Sequence, residues 1–444
     1  MFKTIQDAIK VPEVKRRLLF TLLLLIVFRF GSHISVPFVD FNVLNNVMNN
    51  NQNGILGLVN LITGGAFARL SIFAMSISPY ISASIIVQLL GMLIPSLEMM
   101  MKEGGEQGKK QINKYTKIIT FVLALVQSLG LFIAYRDSRI FTSYNGSYVI
   151  PGIAIVLSLL AGTTFLVWVG EKITKKGIGN GISMLIFAGI VSSVPNLLFS
   201  MISQTVQNGT IDVIKLISVL GLFIGILLLI TSVVYVHIAE RKIPIQYSRK
   251  IVGRKMYGGQ NTFIPIKPVM AGVMPVIFAS SFITFPAMII QIFFANQIGK
   301  LGFANWLYTL SVATTINNAS IWYILGHALL YMILIIAFTF FYTLAVFNPD
   351  EIATNIRQNG GYIPGVRAGK PTNEFLSQVV VKLTAFGSLF LCVIAIIPML
   401  VNVFIHQNLG FGGTSILIIV GVAIETVQQL ESQLMVRKTK GFLE

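Results

Sequence analysis

Five hydroxyls, Ser71, Ser76, Ser78, Ser82 and Ser84, crowd into one apolar stretch from Arg69 to Ile94, with Pro79 among them and Gln88 after them. None sits in a GxSxG context, so their chemistry is hydrogen bonding at an interface, not nucleophilic attack. Ser71, Ser78 and Ser82 fall on one helical face, and Ile77, Ile81 and Ile85 form a second stripe at i, i+4 spacing. Two readings stay open for the hydroxyls: close helix packing through small residues, or a wet and mobile seam. Other chemistry-bearing residues do not cluster. His33, His237, His327 and His406 lie in different segments, and no HExxH or GxxxxGK[ST] occurs. The single cysteine, Cys392, has no disulfide partner and reads as a packing residue. No catalytic residue, metal or cofactor is expected. Glu171, Glu240 and Glu425 stand toward the ends of apolar runs, whereas ion-coupled carriers bury charge near mid-membrane.

The elements that must hold these residues are apolar runs of spanning length. The first runs from about Leu18 to Phe30, and others centre on Ala83, Leu123, Leu159, Ile190, Ile224, Val276, Ile335, Val393 and Ile418. Crossing hydrocarbon takes about 20 apolar residues as helix, and lipid leaves no alternative but helices or closed barrels. With 55% hydrophobic and 11% charged residues, the chain is far from a soluble composition. It is predicted to be all-α, a polytopic membrane protein with ten transmembrane helices.

Charge sets the orientation. The net charge is +17, and Lys and Arg concentrate before the first span, in every second loop and after the last span. The intervening loops hold little beyond Arg69, Arg136, Arg139, Lys215 and Lys300. The positive-inside rule then places both termini in the cytoplasm, which needs an even number of spans. The first span lacks a small-x-small cleavage site and reads as retained. Cutting between spans five and six gives halves 1–203 and 204–444, each of five spans and therefore of opposite orientation, two inverted five-helix halves. Two cytoplasmic loops, 240–267 and 348–382, are longer than a turn requires and strongly basic. An apolar segment near 53–65, ending in Gly64-Gly65, is too short to cross; re-entrant and surface placements are both open.

Gly64-Gly65-Ala66-Phe67-Ala68-Arg69-Leu70-Ser71-Ile72-Phe73-Ala74, followed by Ser78-Pro79-Tyr80-Ile81-Ser82-Ala83-Ser84-Ile85, closely resembles the second-span signature of the SecY family. That family supplies the central subunit of the bacterial protein-conducting channel. Gly170-Glu171-Lys172-Ile173-Thr174 with Gly177-Ile178-Gly179-Asn180-Gly181-Ile182-Ser183 resembles the family's second signature. Ala271 to Ser281, Phe347-Asn348-Pro349 and Gly412-Gly413-Thr414-Ser415 extend the likeness over essentially the whole chain.

The resemblance implies a Sec translocon pore in the bacterial plasma membrane. It would conduct unfolded secretory proteins across the membrane and release hydrophobic segments sideways into membrane lipid. It implies a pore ring of Ile77, Ile81, Ile186, Ile277 and Ile418, and a plug carrying Ile55, Leu56, Leu58, Val59, Leu61 and Ile62. It implies a lateral gate at Ser82, Ile85, Gln88, Ser281, Thr284 and Phe285, and docking of a motor or ribosome at Arg254 and Arg367. The implied partners are SecE and SecG subunits, the SecA motor ATPase, the ribosome, signal peptides and unfolded precursors. The channel itself would be passive, driven from outside. The rival of another class is a secondary transporter of small solutes, which needs a mid-membrane polar site that the sequence does not offer. A closer rival is an accessory SecY devoted to few substrates.

Overall fold

The computed structural model describes residues 2–50, 60, 63–102, 104–136, 140–144, 146–207, 210–211, 213–247, 250–252, 255–257, 261–294, 302–312, 320–405 and 413–440. Short helices α1 (Phe2–Lys10) and α3 (Phe41–Asn50) flank α2 (Pro12–Gly31). The N-terminal part continues with α4 (Ser78–Leu93), α5 (Pro95–Lys102), α6 (Gly105–Arg136), α7 (Val149–Lys176) and α8 (Gly181–Thr205). After the small pair β1 (Val206–Gln207) and β2 (Thr210–Ile211) come α9 (Val213–Ile238) and strands β3 (Arg241–Tyr247), β4 (Lys250–Val252), β5 (Lys255–Tyr257) and β6 (Asn261–Ile266). The chain ends with α10 (Met274–Phe294), α11 (Gly302–Val312), α12 (Ile321–Val346), α13 (Pro349–Gln358), β7 (Gly361–Tyr362), α14 (Lys370–Ile405) and α15 (Gly413–Lys440).

This is the helical, multi-pass membrane architecture that the sequence predicts. Among the described residues six helices are long and apolar enough to cross a membrane, or seven if the bent pair Ser78–Gly91 and Pro95–Met101 is one span. Gly181–Pro195 and Met274–Ala287 are shorter apolar helices. Arg16 and Arg17 precede the apolar run of α2, and Arg29 lies within the helix's last turn. Length and composition therefore support six or seven of the ten expected crossings.

The second expected span is helical only in part. Residues 63–77 run in turns, and α4 starts at Ser78 with Pro79 in its first turn, where proline's missing N–H is harmless. Ser71 is thus not on a helical face with Ser78 and Ser82; it pairs with Ser35 in an isolated antiparallel bridge. The segment is stitched in by backbone bonds from Val36 N–H to the Leu70 carbonyl (2.9 Å) and from Ile72 N–H to the Ile34 carbonyl (2.9 Å). Leu70 and Ser76 adopt left-handed φ values of 40° and 50°, a strained choice for side-chain-bearing residues that only firm packing sustains.

Gly162 of α7 lets that segment lie against the helix. A Cβ there would overlap the Ile72 backbone carbonyl and touch its side chain. Overpacking of this kind costs about 1–3 kcal/mol. Gly162→Ala is expected to lower the thermal midpoint of the purified protein, while Gly221→Ala, where a Cβ meets nothing, leaves it unchanged.

The expected basic loops are built, not bare. β6, β3 and β7 form an antiparallel sheet with Ile243 opposite Ile264, and Gln246 and Tyr247 opposite Tyr362 and Gly361. Ile243 and Ile245 point inward while Lys242 and Pro244 face out, the period-2 alternation of a half-buried strand. Pro244 is tolerated because β7 reaches only the end of β3, so the strand has one neighbour there. Ile243, Ile245 and Ile266 share a separate core with Phe347, Ile356, Ile363, Leu376, Val379 and Val380, which joins the two loops into one body.

Candidate functional site

Ile77 caps the start of α4 and Ile81 follows one turn later; Ile186 comes from α8, Ile277 from α10 and Ile418 from α15. These helices meet: α4 packs on α10, α10 on α15, and α15 on α8. All five isoleucines enter one contiguous apolar cluster, at 1%, 8%, 3%, 4% and 6% exposure respectively. Residues far apart in the chain, from the start of α4 to α15, thus enter the same buried cluster. The isoleucine side chains themselves offer no hydrogen-bonding group to water or ions, and a narrow ring of such side chains would exclude both by dewetting.

Arg29, which the sequence analysis did not single out, lies at the edge of this cluster. Its Nη1 donates to the Gly64 carbonyl at 2.7 Å and to Ser192 Oγ at 3.1 Å; Ser192 in turn donates to the Gly189 carbonyl at 2.7 Å. One guanidinium in α2 thus ties the 63–77 segment to α8. Gly64 has φ 65°, and a Cβ on it would run into Ser192 Oγ and the Gly189 backbone. Only glycine accepts both the left-handed turn and the close approach. A signal was available, because an arginine inside an apolar run is costly and usually functional. The expected plug residues Ile55, Leu56, Leu58, Val59, Leu61 and Ile62 lie outside the described residues.

The expected gate residues sit on the two helices that pack face to face, α4 and α10. Ser82 and Ile85 are buried; Gln88, Ser281, Thr284 and Phe285 are half-buried. Gln88 reaches across to the Tyr342 side chain of α12, while other bonds run along a single helix. Gln88 Nε2 donates to Ser84 Oγ (3.1 Å), and Thr284 Oγ1 to the Ser280 and Ser281 carbonyls (3.0 and 3.2 Å). The Thr284 hydroxyl, satisfied by its own helix, allows close packing there.

Toward the other end of the bundle, α15 carries two glutamines that accept hydrogen bonds from neighbouring segments. Lys267, directly after β6, donates to Gln428 Oε1 at 2.9 Å. The Gly179 N–H, at φ 83°, donates to Gln429 Oε1, and the Ile178 N–H to Thr21 Oγ1 at 3.1 Å. The glycine-rich 177–181 turn is therefore an anchor between α2, α7, α8 and α15. Lys117 and Glu171 pair at 2.6 Å between α6 and α7. Arg367 is exposed beyond β7, its carbonyl accepting from Thr372 Oγ1 at 2.8 Å; Arg254 lies outside the described residues. His33 and His327 place Nδ1 3.0 and 2.9 Å from the Arg29 and Leu310 carbonyls, and Cys392 is buried with Sγ 3.7 Å from the Met332 carbonyl. These contacts are structural.

Against known proteins, the sequence model of the SecY family matches residues 71–427. The protein translocase subunit SecY of Streptomyces scabiei is 41% identical over 456 residues, covering the whole of both chains. That of Thermotoga maritima is 40% identical over 456 residues, covering 100% of this chain and 98% of its own. Among solved structures, one described as a protein conducting channel superposes with a TM-score of 0.67 at 20% identity, covering 94% of this chain and 92% of that one. The Sec61 of the canine ribosome-channel complex from the endoplasmic reticulum gives 0.64 at 18% identity, with the same coverage. At such identities these two likenesses establish the shared fold.

Proposed function

This chain belongs to the SecY family, and from that premise we infer that it is the pore-forming subunit of a protein translocase. It is a protein-conducting channel and not a catalyst. The observation that supports the mechanism is that five isoleucines from four helices lie buried in one apolar cluster.

An extended polypeptide cannot enter hydrocarbon, because each unpaired backbone group costs several kcal/mol there. It needs a wet path, and that path has to seal when idle. Ile77, Ile81, Ile186, Ile277 and Ile418 are suited to both tasks. Closed, they exclude water; opened, they surround a sliding chain without offering it a hydrogen bond. The segment 53–65 acts as plug, with Arg29 holding its end at Gly64 when the channel is idle. The seam between α4 and α10, at Ser82, Ile85, Gln88, Ser281, Thr284 and Phe285, is the side exit through which apolar segments partition into lipid. The Thr284 hydroxyl bonds within its own helix, so that bond survives when the seam parts.

The halves 1–203 and 204–444 frame the path as inverted units. Arg254 and Arg367, on the joined basic loops, receive an external driver: the SecA motor or the ribosome, whose phosphates suit arginine. SecE and SecG complete the complex, the membrane is the bacterial plasma membrane, and both termini are cytoplasmic.

Vesicles carrying this chain with SecE and SecG, given SecA, ATP and an unfolded signal-bearing precursor, are expected to render the precursor resistant to added protease. Protection has to require both ATP and the signal. Its absence, beside a working SecY from a relative, would refute the channel reading for these partners.

A further inference from the structure

A cavity of about 540 Å³ lies where the C-terminal end of α6 meets the N-terminal end of α7. Leu129, Phe132, Ile153 and Leu157 wall it, and Arg136 and Tyr148 stand at its mouth. Leu129, Ile153 and Leu157 are 42%, 57% and 57% exposed. They belong to helices of spanning length and apolarity, so the groove lies on the outer surface of the described helices. Its volume lies within the roughly 300–1,000 Å³ of small-molecule sites.

The mouth has a different chemistry. The Arg136 guanidinium sits 5.3 Å from the centre of the Tyr148 ring, an arrangement that orients the cation without using its N–H donors. Among the described residues no carboxylate pairs with it. A cation at a helix C-terminus gains from the helix dipole, which explains a positive charge there but not the apolar cavity beneath it. Topology offers no explanation either, because the loop after α6 is one of those that the basic residues avoid. A fork of donors above an apolar groove matches a phosphate joined to an acyl chain. Tyr148 stands where aromatic rings mark the membrane–water boundary.

We propose that this groove is a binding site for an anionic glycerophospholipid, with one acyl chain against Phe132, Ile153 and Leu157 and its phosphate on Arg136. The site lies apart from the isoleucine constriction and does not depend on the channel reading.

The test uses the full chain in its assembled complex, in bilayers of mixed lipid containing traces of diazirine-tailed phosphatidylglycerol or phosphatidylcholine. After irradiation, cross-linked peptides are quantified by mass spectrometry. The phosphatidylglycerol probe is expected to label the Leu129–Phe132 and Ile153–Leu157 peptides about five-fold more than the phosphatidylcholine probe, the ratio that one arginine near an anionic headgroup gives. Arg136→Gln brings the ratio to about one, Arg136→Lys retains part of it, and Ile153→Trp, which fills the groove, removes labelling by both probes. Equal labelling in the native protein, a preference that survives Arg136→Gln, or no labelling because a partner subunit covers the groove would each overturn the proposal. So would displacement of the probe by excess inorganic phosphate, which would mark a bare anion site.

Discussion

Replacing Ile81 and Ile277 together by asparagine is expected to raise the resting ion conductance of the reconstituted complex by at least tenfold. Both side chains are buried in the shared cluster, at 8% and 4% exposure, so each new amide enters a site with no described polar partner. An unsatisfied buried polar group costs about 1–3 kcal/mol. Two of them exceed the 1.4 kcal/mol that corresponds to a factor of ten. The protein relieves that penalty by admitting water, which removes the dewetting barrier at the same point. The matched pair Ile81→Leu and Ile277→Leu keeps the constriction apolar at nearly constant volume, and is expected to conduct no more than the native chain. Planar-bilayer recordings separate the two. Unchanged conductance in the asparagine pair, with the complex shown intact, would remove the isoleucines from the seal.

Arg29→Leu is expected to loosen the idle state and relax the stringency of signal selection. The substitution deletes the donor that holds both the Gly64 carbonyl and Ser192 Oγ. Hydrogen bonds to charged groups contribute about 1.5–3 kcal/mol, so the share of complexes with the 63–77 segment released rises by roughly ten- to a hundredfold. A precursor with a weakened signal should then be transported several times faster, while a normal precursor changes little. Arg29→Lys keeps the charge but loses the planar fork, and is expected to fall between. A purely structural arginine would lower the thermal midpoint and leave the ratio of weak-signal to normal-signal transport untouched. That ratio, measured side by side, decides between the two roles.

Much of this was legible in the amino-acid order. Apolar runs of spanning length announce helices because lipid permits little else, and the i, i+4 spacing of Ile77, Ile81 and Ile85 marks a face before any fold is known. Convergence was not legible. Nothing in the spacing of Ile186 and Ile418 says that they meet Ile277, and only likeness to a family supplied the set. Hydropathy also misjudged residues 63–77, since it scores apolar turns and apolar helix alike; Pro79 held the boundary in plain view. The strands of the basic loops were hidden by charge, although Arg241 to Tyr247 alternates in and out with a period of two. The count of spans is blurred for a related reason: arginines flank the apolar part of α2, and α4 stops at Leu93, just before Pro95, where the chain bends.

The bond between Lys267 and Gln428 has a mechanical consequence. Gln428 and Ile418 share one continuous helix, ten residues or about 15 Å apart at 1.5 Å per residue. The helix is stiff along its axis, and Lys267 adjoins the strand that closes the surface sheet. The surface sheet and the buried isoleucine cluster are thus joined through a single helix, about 15 Å of it, with one polar contact at the outer end.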